Sequence, residues 1–168
     1  MSNTKMADPL KIVSKVSQST HLDGVRLLRG SFHVERVAEP STANPAGLGT
    51  SFSFEQSIES DHLLSRVSIA LDVQQLGPPP RHFVSVKATI ELSYKMAAKF
   101  AEDELEAFAK INGIYHAWPY WREFVQSATT RAGLPPLTLH PIQAGEAMVM
   151  AGYAPPAEAK PKAKATPR

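Results

Sequence analysis

Gly113-Ile-Tyr-His-Ala-Trp-Pro-Tyr-Trp-Arg-Glu-Phe124 is the stretch that says most about the fold, and Leu137-Thr-Leu-His-Pro-Ile142 follows it after Gly133-Leu-Pro-Pro136. Two tryptophans and two tyrosines lie within seven residues, between Tyr115 and Trp121. Beside them is one arginine–glutamate pair, and the stretch contains no nucleophile matched to a base. It therefore indicates an apolar surface, either core or contact surface, rather than a catalytic site.

The composition is that of one globular domain with little charge bias. The 168 residues are 43% hydrophobic and 20% charged, with a net charge of +2, which is ordinary for a soluble protein. The basic residues form no stripe along a predicted element, so we expect no nucleic-acid partner. Cysteine is absent, which excludes disulfides and thiolate chemistry. Because the sequence has no secretory signal or long apolar run, we expect a cytoplasmic protein that does not bind membranes.

Four segments alternate apolar and polar residues in the manner of half-buried strands. They cover residues 25–37, with a bulge expected at Gly30, and residues 52–58, 67–73 and 83–94. Consecutive strands joined by short connections favour an antiparallel sheet. Helical spacing follows the fourth strand.

Two helices are predicted after the strands. Apolar residues recur at helical intervals over residues 100–111. Pro119 suits the first turn of a second helix, which would end with Gly133 just past its C-terminal cap. We therefore predict an α+β fold, a four-stranded antiparallel sheet with helices packed on one face.

The chain divides into three parts by composition. Residues 1–22 contain few large apolar side chains and are predicted to be a flexible arm. Residues 23–150 form the domain. Residues 151–168 are rich in alanine, proline and lysine, which predicts a disordered tail.

No known catalytic or metal-binding pattern is present. The six histidines are dispersed and none forms an i, i+4 pair, so neither a metal nor another cofactor is expected. The glycines and serines form no phosphate-binding loop, dinucleotide-binding motif or nucleophile elbow. The acidic run Glu102–Glu106 suits the first turn of a helix, and a partner-binding patch is the alternative. We expect a protein that is not an enzyme.

Residues 113–142 resemble the SecB export chaperones. In that family a helix is entered through a Pro-Tyr-Ala-Arg-Glu-like sequence and is left through Gly-Phe-Pro-Pro-Leu and Leu-Xaa-Pro-Ile/Val. Here the same positions read Pro119-Tyr-Trp-Arg-Glu123, Gly133-Leu-Pro-Pro-Leu137 and Leu139-His-Pro-Ile142, and the spacing has no gap. Residues 25–32 are similar to the first strand of the family, so the resemblance extends over residues 25–142. It implies a SecB-like fold.

The resemblance implies a molecular chaperone that holds unfolded or nascent polypeptides without ATP, in an apolar groove. Family members are homo-oligomers, and the resemblance implies a tetramer. The tryptophans and Tyr115 could equally belong to the core. Seven residues are the candidate client-binding residues: Phe54, Phe83, Val84, Ile114, Tyr115, Trp118 and Trp121.

The sequence departs from export-dedicated relatives where acidic residues recruit the motor ATPase SecA. Arg29, His33 and Val86 occupy the expected positions of those acids, so binding to SecA is left open. A client outside export, such as an antitoxin, fits these departures. The alternative function is a small-ligand-binding or structural oligomeric domain that uses the aromatic residues as a pocket, and a ligand site would need convergent polar groups.

Overall fold

The computed structural model describes residues 8–35, 46–75 and 81–154, which form a four-stranded antiparallel sheet with helices on one face. The elements in chain order are α1 (Pro9–Ser17), β1 (Thr20–Val34), β2 (Ala46–Glu59), β3 (His62–Gln75), β4 (Arg81–Met96), α2 (Glu102–Arg131) and α3 (Ala144–Met150). The spatial order is β1-β4-β3-β2, so β1 and β2 are the edge strands. The predicted fold class is confirmed.

The central strands β3 and β4 bury one face under the helices. Every second residue from Leu63 to Leu71, and from Val84 to Tyr94, is buried. Their neighbours in β3 and β4 point to the opposite face, which we call the outer face, and most of them are partly or fully exposed. The alternation predicted for the third and fourth strands is therefore confirmed.

One long helix, α2, replaces the two helices that the sequence predicted. Pro119 lies inside α2 and not at a helix start. It removes the N–H that would bond to the Tyr115 carbonyl, and both residues lie on the exposed side of the helix, where water can satisfy that carbonyl. The predicted end is confirmed: Gly133 has φ of 73°, and Leu134 N–H donates to the Thr129 carbonyl at 3.0 Å.

Two glycines let α2 lie directly on the sheet. A Cβ at Gly113 would be 2.7 Å from Ser65 Oγ, and that hydroxyl donates to the Ala109 carbonyl at 2.8 Å. A Cβ at Gly30 in β1 would be 2.7 Å from the Phe124 ring. The Phe124 ring therefore packs directly on Gly30. The bulge predicted there lies instead between Leu27 and Arg29.

The segment Leu137–Ile142 folds back along α2 and is held by side-chain hydrogen bonds. Trp118 Nε1 donates to the His140 carbonyl at 2.8 Å, and Arg122 Nε donates to the Leu139 carbonyl at 2.6 Å. Leu137 N–H donates to Thr129 Oγ1 at 3.1 Å. These three bonds need each α2 side chain to lie opposite its partner in Leu137–Ile142. The number of residues between the helix and the returning segment therefore has a structural cause.

Residues 9–17 form helix α1, where the sequence predicted a flexible arm. Asp8 caps the helix by accepting from Leu10 N–H at 3.1 Å, and Val16 is fully buried. Lys15 pairs with Glu104 of α2 at 2.6 Å. Packing against α2 thus stabilises a helix too short to be stable alone. The rest of the predicted arm before residue 8, and the predicted tail from residue 155, lie outside the described residues.

Candidate functional site

The structure buries most of the residues proposed for client binding. Ile114 and Trp121 are fully buried, and Val84 and Trp118 are each 5% exposed. These four belong to the core and present no surface to a client. The burial of Trp118 could not be predicted from the local sequence, because a segment that begins 19 residues later in the chain covers this side chain.

The three remaining candidates lie in different places. Tyr115 is 43% exposed on α2, and Phe54 is half-buried on β2. Phe83 belongs to β4, and its side chain lies outside the described part of the structure. The structure therefore does not assemble the seven candidates into one surface. Trp118 and Trp121 are buried in the core, whereas the alternative ligand-binding interpretation required aromatic residues that line an open pocket.

A hydrogen bond between the buried Tyr94 and the half-buried His116 links β4 to the middle of α2. Tyr94 Oη and His116 Nδ1 are 3.0 Å apart. Burial raises the pKa of Tyr94, and burial lowers the pKa of His116. The phenol therefore stays protonated and is hydrogen-bonded to a neutral imidazole.

This pair predicts a loss of stability on acidification. The pKa of His116 is lowered in the folded state, so the unfolded chain binds a proton more readily, and stability falls as the pH drops below the ordinary histidine value. We expect the melting temperature to fall between about pH 7.5 and 5.5, and to fall less in His116→Gln, whose amide can still accept from Tyr94. Equal pH dependence in the two proteins would contradict this role for His116.

The helices leave an apolar surface along β2. Leu48, Phe52, Phe54 and Ile58 share the helix-facing side of this strand. Phe52, Phe54 and Ile58 pair with buried residues of β3, and Leu48 pairs with the partly buried Val73. We call these four residues the β2 strip. Helix α2 packs mainly on β3 and β4. Leu48 and Ile58 are each 57% exposed, and the two phenylalanines between them are half-buried.

A shallow groove runs between the β2 strip and α2. Phe54, Ser65 and Ala109 line its floor and walls, and its volume is ≈ 200 Å³. The ion pair between Lys110 and Glu106, 2.5 Å long, lies at its edge. Phe54 and Ala109 give the groove apolar contact, while its other lining residues are polar or charged: Glu55, Gln56, Ser65, Glu106 and Lys110. The sequence had marked part of it, because residues 52–58 alternate, but only Phe54 was among the predicted site residues.

The outer face is polar and carries an ionic row. Glu91 is 5% exposed, accepting from Arg66 Nε at 2.8 Å and from Arg26 at 2.5 Å. The hydrogen bond from Arg66, and to a smaller extent the one from Arg26, holds the pKa of Glu91 below its ordinary value. Arg29 and His33 also lie on this face. Val86 does not: it is fully buried under the helices, so its expected place in the SecA docking face was wrong.

Other kinds of site are not seen in the described part of the chain. Within residues 8–35, 46–75 and 81–154, no three histidine or carboxylate side chains are grouped to hold a metal ion. None of the helices described is long and apolar enough to cross a membrane.

Comparisons with known proteins support one relationship. No family model matches the chain. Two curated relatives, the SecB-like chaperones Rv1957 and MT2006 from two strains of Mycobacterium tuberculosis, are each 27% identical over 155 residues, which covers 79% of this chain and 82% of theirs.

A solved structure has the same fold. It is the SecB-like chaperone Rv1957 of Mycobacterium tuberculosis in complex with a peptide from the HigA1 antitoxin Rv1956. It has a TM-score of 0.68 at 23% identity, covering 79% of this chain and 97% of that one. The resemblance seen in residues 119–142 is thus confirmed: this chain is similar to the SecB-like chaperones in sequence and in fold.

Proposed function

We propose that this protein is an ATP-independent chaperone that binds unfolded polypeptides along the β2 strip and the groove beside it. The β2 strip itself carries the proposal. It is an apolar surface on an edge strand, and it borders helices on one side only. Any unfolded chain has apolar side chains that gain about 25 cal/mol per Å² by leaving water. Such a surface therefore binds many sequences, without needing a specific polar pattern.

The edge position of β2 adds a second source of affinity. Within the described residues β2 pairs with β3 alone, so one side of its backbone has unpaired N–H and C=O groups. An extended client segment can add there as a further strand, with main-chain hydrogen bonds that do not depend on sequence. Alternate side chains of that segment would then fall on the same face as the β2 strip. Weak contacts of this kind add when several sites engage one client.

We propose that the protein binds polypeptides and is not an enzyme. Its clients are either nascent chains destined for export or a protein outside export. The relative of known structure holds an antitoxin peptide, which favours a client of the second kind for this chain. The other edge strand, β1, favours a homo-oligomer, proposed to be a tetramer. Sedimentation at the monomer mass of 18.3 kDa would contradict this. Binding to SecA stays open, and the cytoplasmic location stays a prediction.

Suppression of aggregation tests the proposed function. A chemically denatured client is diluted into buffer with the purified protein, and light scattering is followed with and without ATP. We expect near-stoichiometric protein to suppress scattering equally in both conditions. No suppression at large molar excess, or suppression only with ATP, would overturn the proposal.

A further inference from the structure

We propose that the outer face of the sheet is a second binding surface, and that it takes an acidic polypeptide segment. The surface is a shallow depression of ≈ 460 Å³ in the middle of that face. The strand register forms it from two rows of side chains, each crossing all four strands. One row is Ser53, Ser68, Thr89 and Arg29, and the other is Ser51, Ala70, Lys87 and Ser31.

Small side chains make this surface concave. Five of the eight residues in the two rows are serine or threonine and one is alanine. Ser68 Oγ and Thr89 Oγ1 are 2.8 Å apart and bond to each other, leaving each hydroxyl oxygen able to accept or donate again. The depression therefore offers hydroxyl groups at its floor and long cationic side chains above them.

The charged residues that line the depression, Arg29 and Lys87, are both cations. Arg29 and Lys87 are diagonal neighbours on adjacent strands, about 7–8 Å apart at the backbone. Both are exposed, and among the residues that the structure describes neither has an ion-pair partner. Glu91, one row away, is already paired with Arg26 and Arg66.

Two other carboxylates lie one row from the depression: Asp72 follows Ala70 by two positions on β3 and has an interaction of its own, and Glu55 follows Ser53 by two positions on β2 and pairs in register with Arg66. Among the ion pairs of the described residues none involves Arg29 or Lys87, and hydroxyl groups lie between these two cations. Carboxylates spaced along an extended peptide can reach both, with the hydroxyl groups donating to the same oxygens.

The shape and the number of charges select a peptide over other anions. The depression is too open to enclose most of a small molecule, as ligand pockets do. Two free cations are also few for a nucleic acid, whose affinity comes from many phosphate contacts. A peptide lying across the strands can instead contact both rows at once. This surface is on the face opposite the β2 strip, so the inference is independent of the proposed function.

The test uses a fluorescein-labelled peptide that alternates glutamate and serine, titrated with the full chain and followed by anisotropy. A lysine–serine peptide is its counterpart. We expect binding of the acidic peptide only, weakened by added salt. The double variant Arg29→Glu with Lys87→Glu should bind about tenfold or more weakly. Because both side chains are exposed and unpaired, its melting temperature should stay near that of the wild type.

A charge-matched control variant shows whether weaker peptide binding comes from the depression itself or from the change in net charge. Lys95→Glu with Lys99→Glu removes the same charge from exposed positions outside the depression, and should change affinity by no more than about twofold. Leu48→Ser with Ile58→Ser should leave acidic-peptide binding intact. The proposal fails if both double charge variants lose affinity for the acidic peptide equally, or if neither peptide or only the basic one binds. It also fails if a second copy of the chain occupies the surface, in which case the Arg29→Glu, Lys87→Glu variant would sediment at a lower mass than the wild type.

Discussion

Trp121→Ala is expected to lower the free energy of unfolding by about 3–5 kcal/mol, the usual cost of removing a large buried aromatic side chain. Trp121 is fully buried and lies against Phe124 with ring centroids 6.2 Å apart. Its Nε1 has no hydrogen-bond partner among the described residues, so the loss comes from packing. Chemical denaturation monitored by circular dichroism measures it.

The neighbouring residue is the control for this prediction. Tyr120 precedes Trp121 in the same helix but is 51% exposed, so Tyr120→Ala should change stability by no more than about 0.5 kcal/mol. Client binding by Trp121→Ala should be lost only where the protein unfolds. A cost below about 1 kcal/mol with weakened client binding would place Trp121 on a binding surface instead.

Leu48→Ser with Ile58→Ser is expected to weaken the binding of an unfolded client by about 2 kcal/mol, or roughly thirtyfold in Kd. Each side chain is 57% exposed, so each has about half of its burial energy left to gain from a client. The fold should survive, because neither residue is in the buried core. Fluorescence anisotropy with a labelled unfolded peptide measures the affinity.

Tyr120→Ser serves as the matched control for the β2 strip. It also removes an exposed apolar side chain, but from α2 and not from β2. Its affinity for the client should stay within about threefold of the wild type. Equal losses in both variants would show that client binding is spread over the exposed apolar surface and is not centred on β2.

Periodicity was enough to predict the sheet but not all of the helices. The strict alternation in β3 and β4 has one physical cause, burial of one face, and it could be read directly from residues 67–73 and 83–94. Helix α1 was missed because it is short and is stabilised by contacts with α2, which lies some ninety residues away in the chain. Pro119 was taken for a helix start because its missing N–H costs least there.

The candidate site was harder to predict than the fold. Whether Trp118 is exposed depends on where the Leu137–Ile142 segment lies, and no local pattern contains that information. The resemblance in residues 119–142 pointed to the proteins that this chain proved similar to. In the structure, Trp118 and Arg122 of that block bond to the returning segment. The β2 strip is exposed because α2 packs mainly on β3 and β4, a tertiary property that the alternation of β2 could not reveal.

Site-specific photo-crosslinking on β2 tests the central claim most directly. A benzophenone amino acid is placed at Ile58, on the helix-facing side, and in a second protein at Glu59, the next residue, whose side chain points to the outer face. Both positions are exposed, so reactivity depends on which face the client occupies. The account predicts strong crosslinking of an unfolded client at Ile58 and little at Glu59. Equal crosslinking at the two positions, or a stronger signal at Glu59, would contradict it.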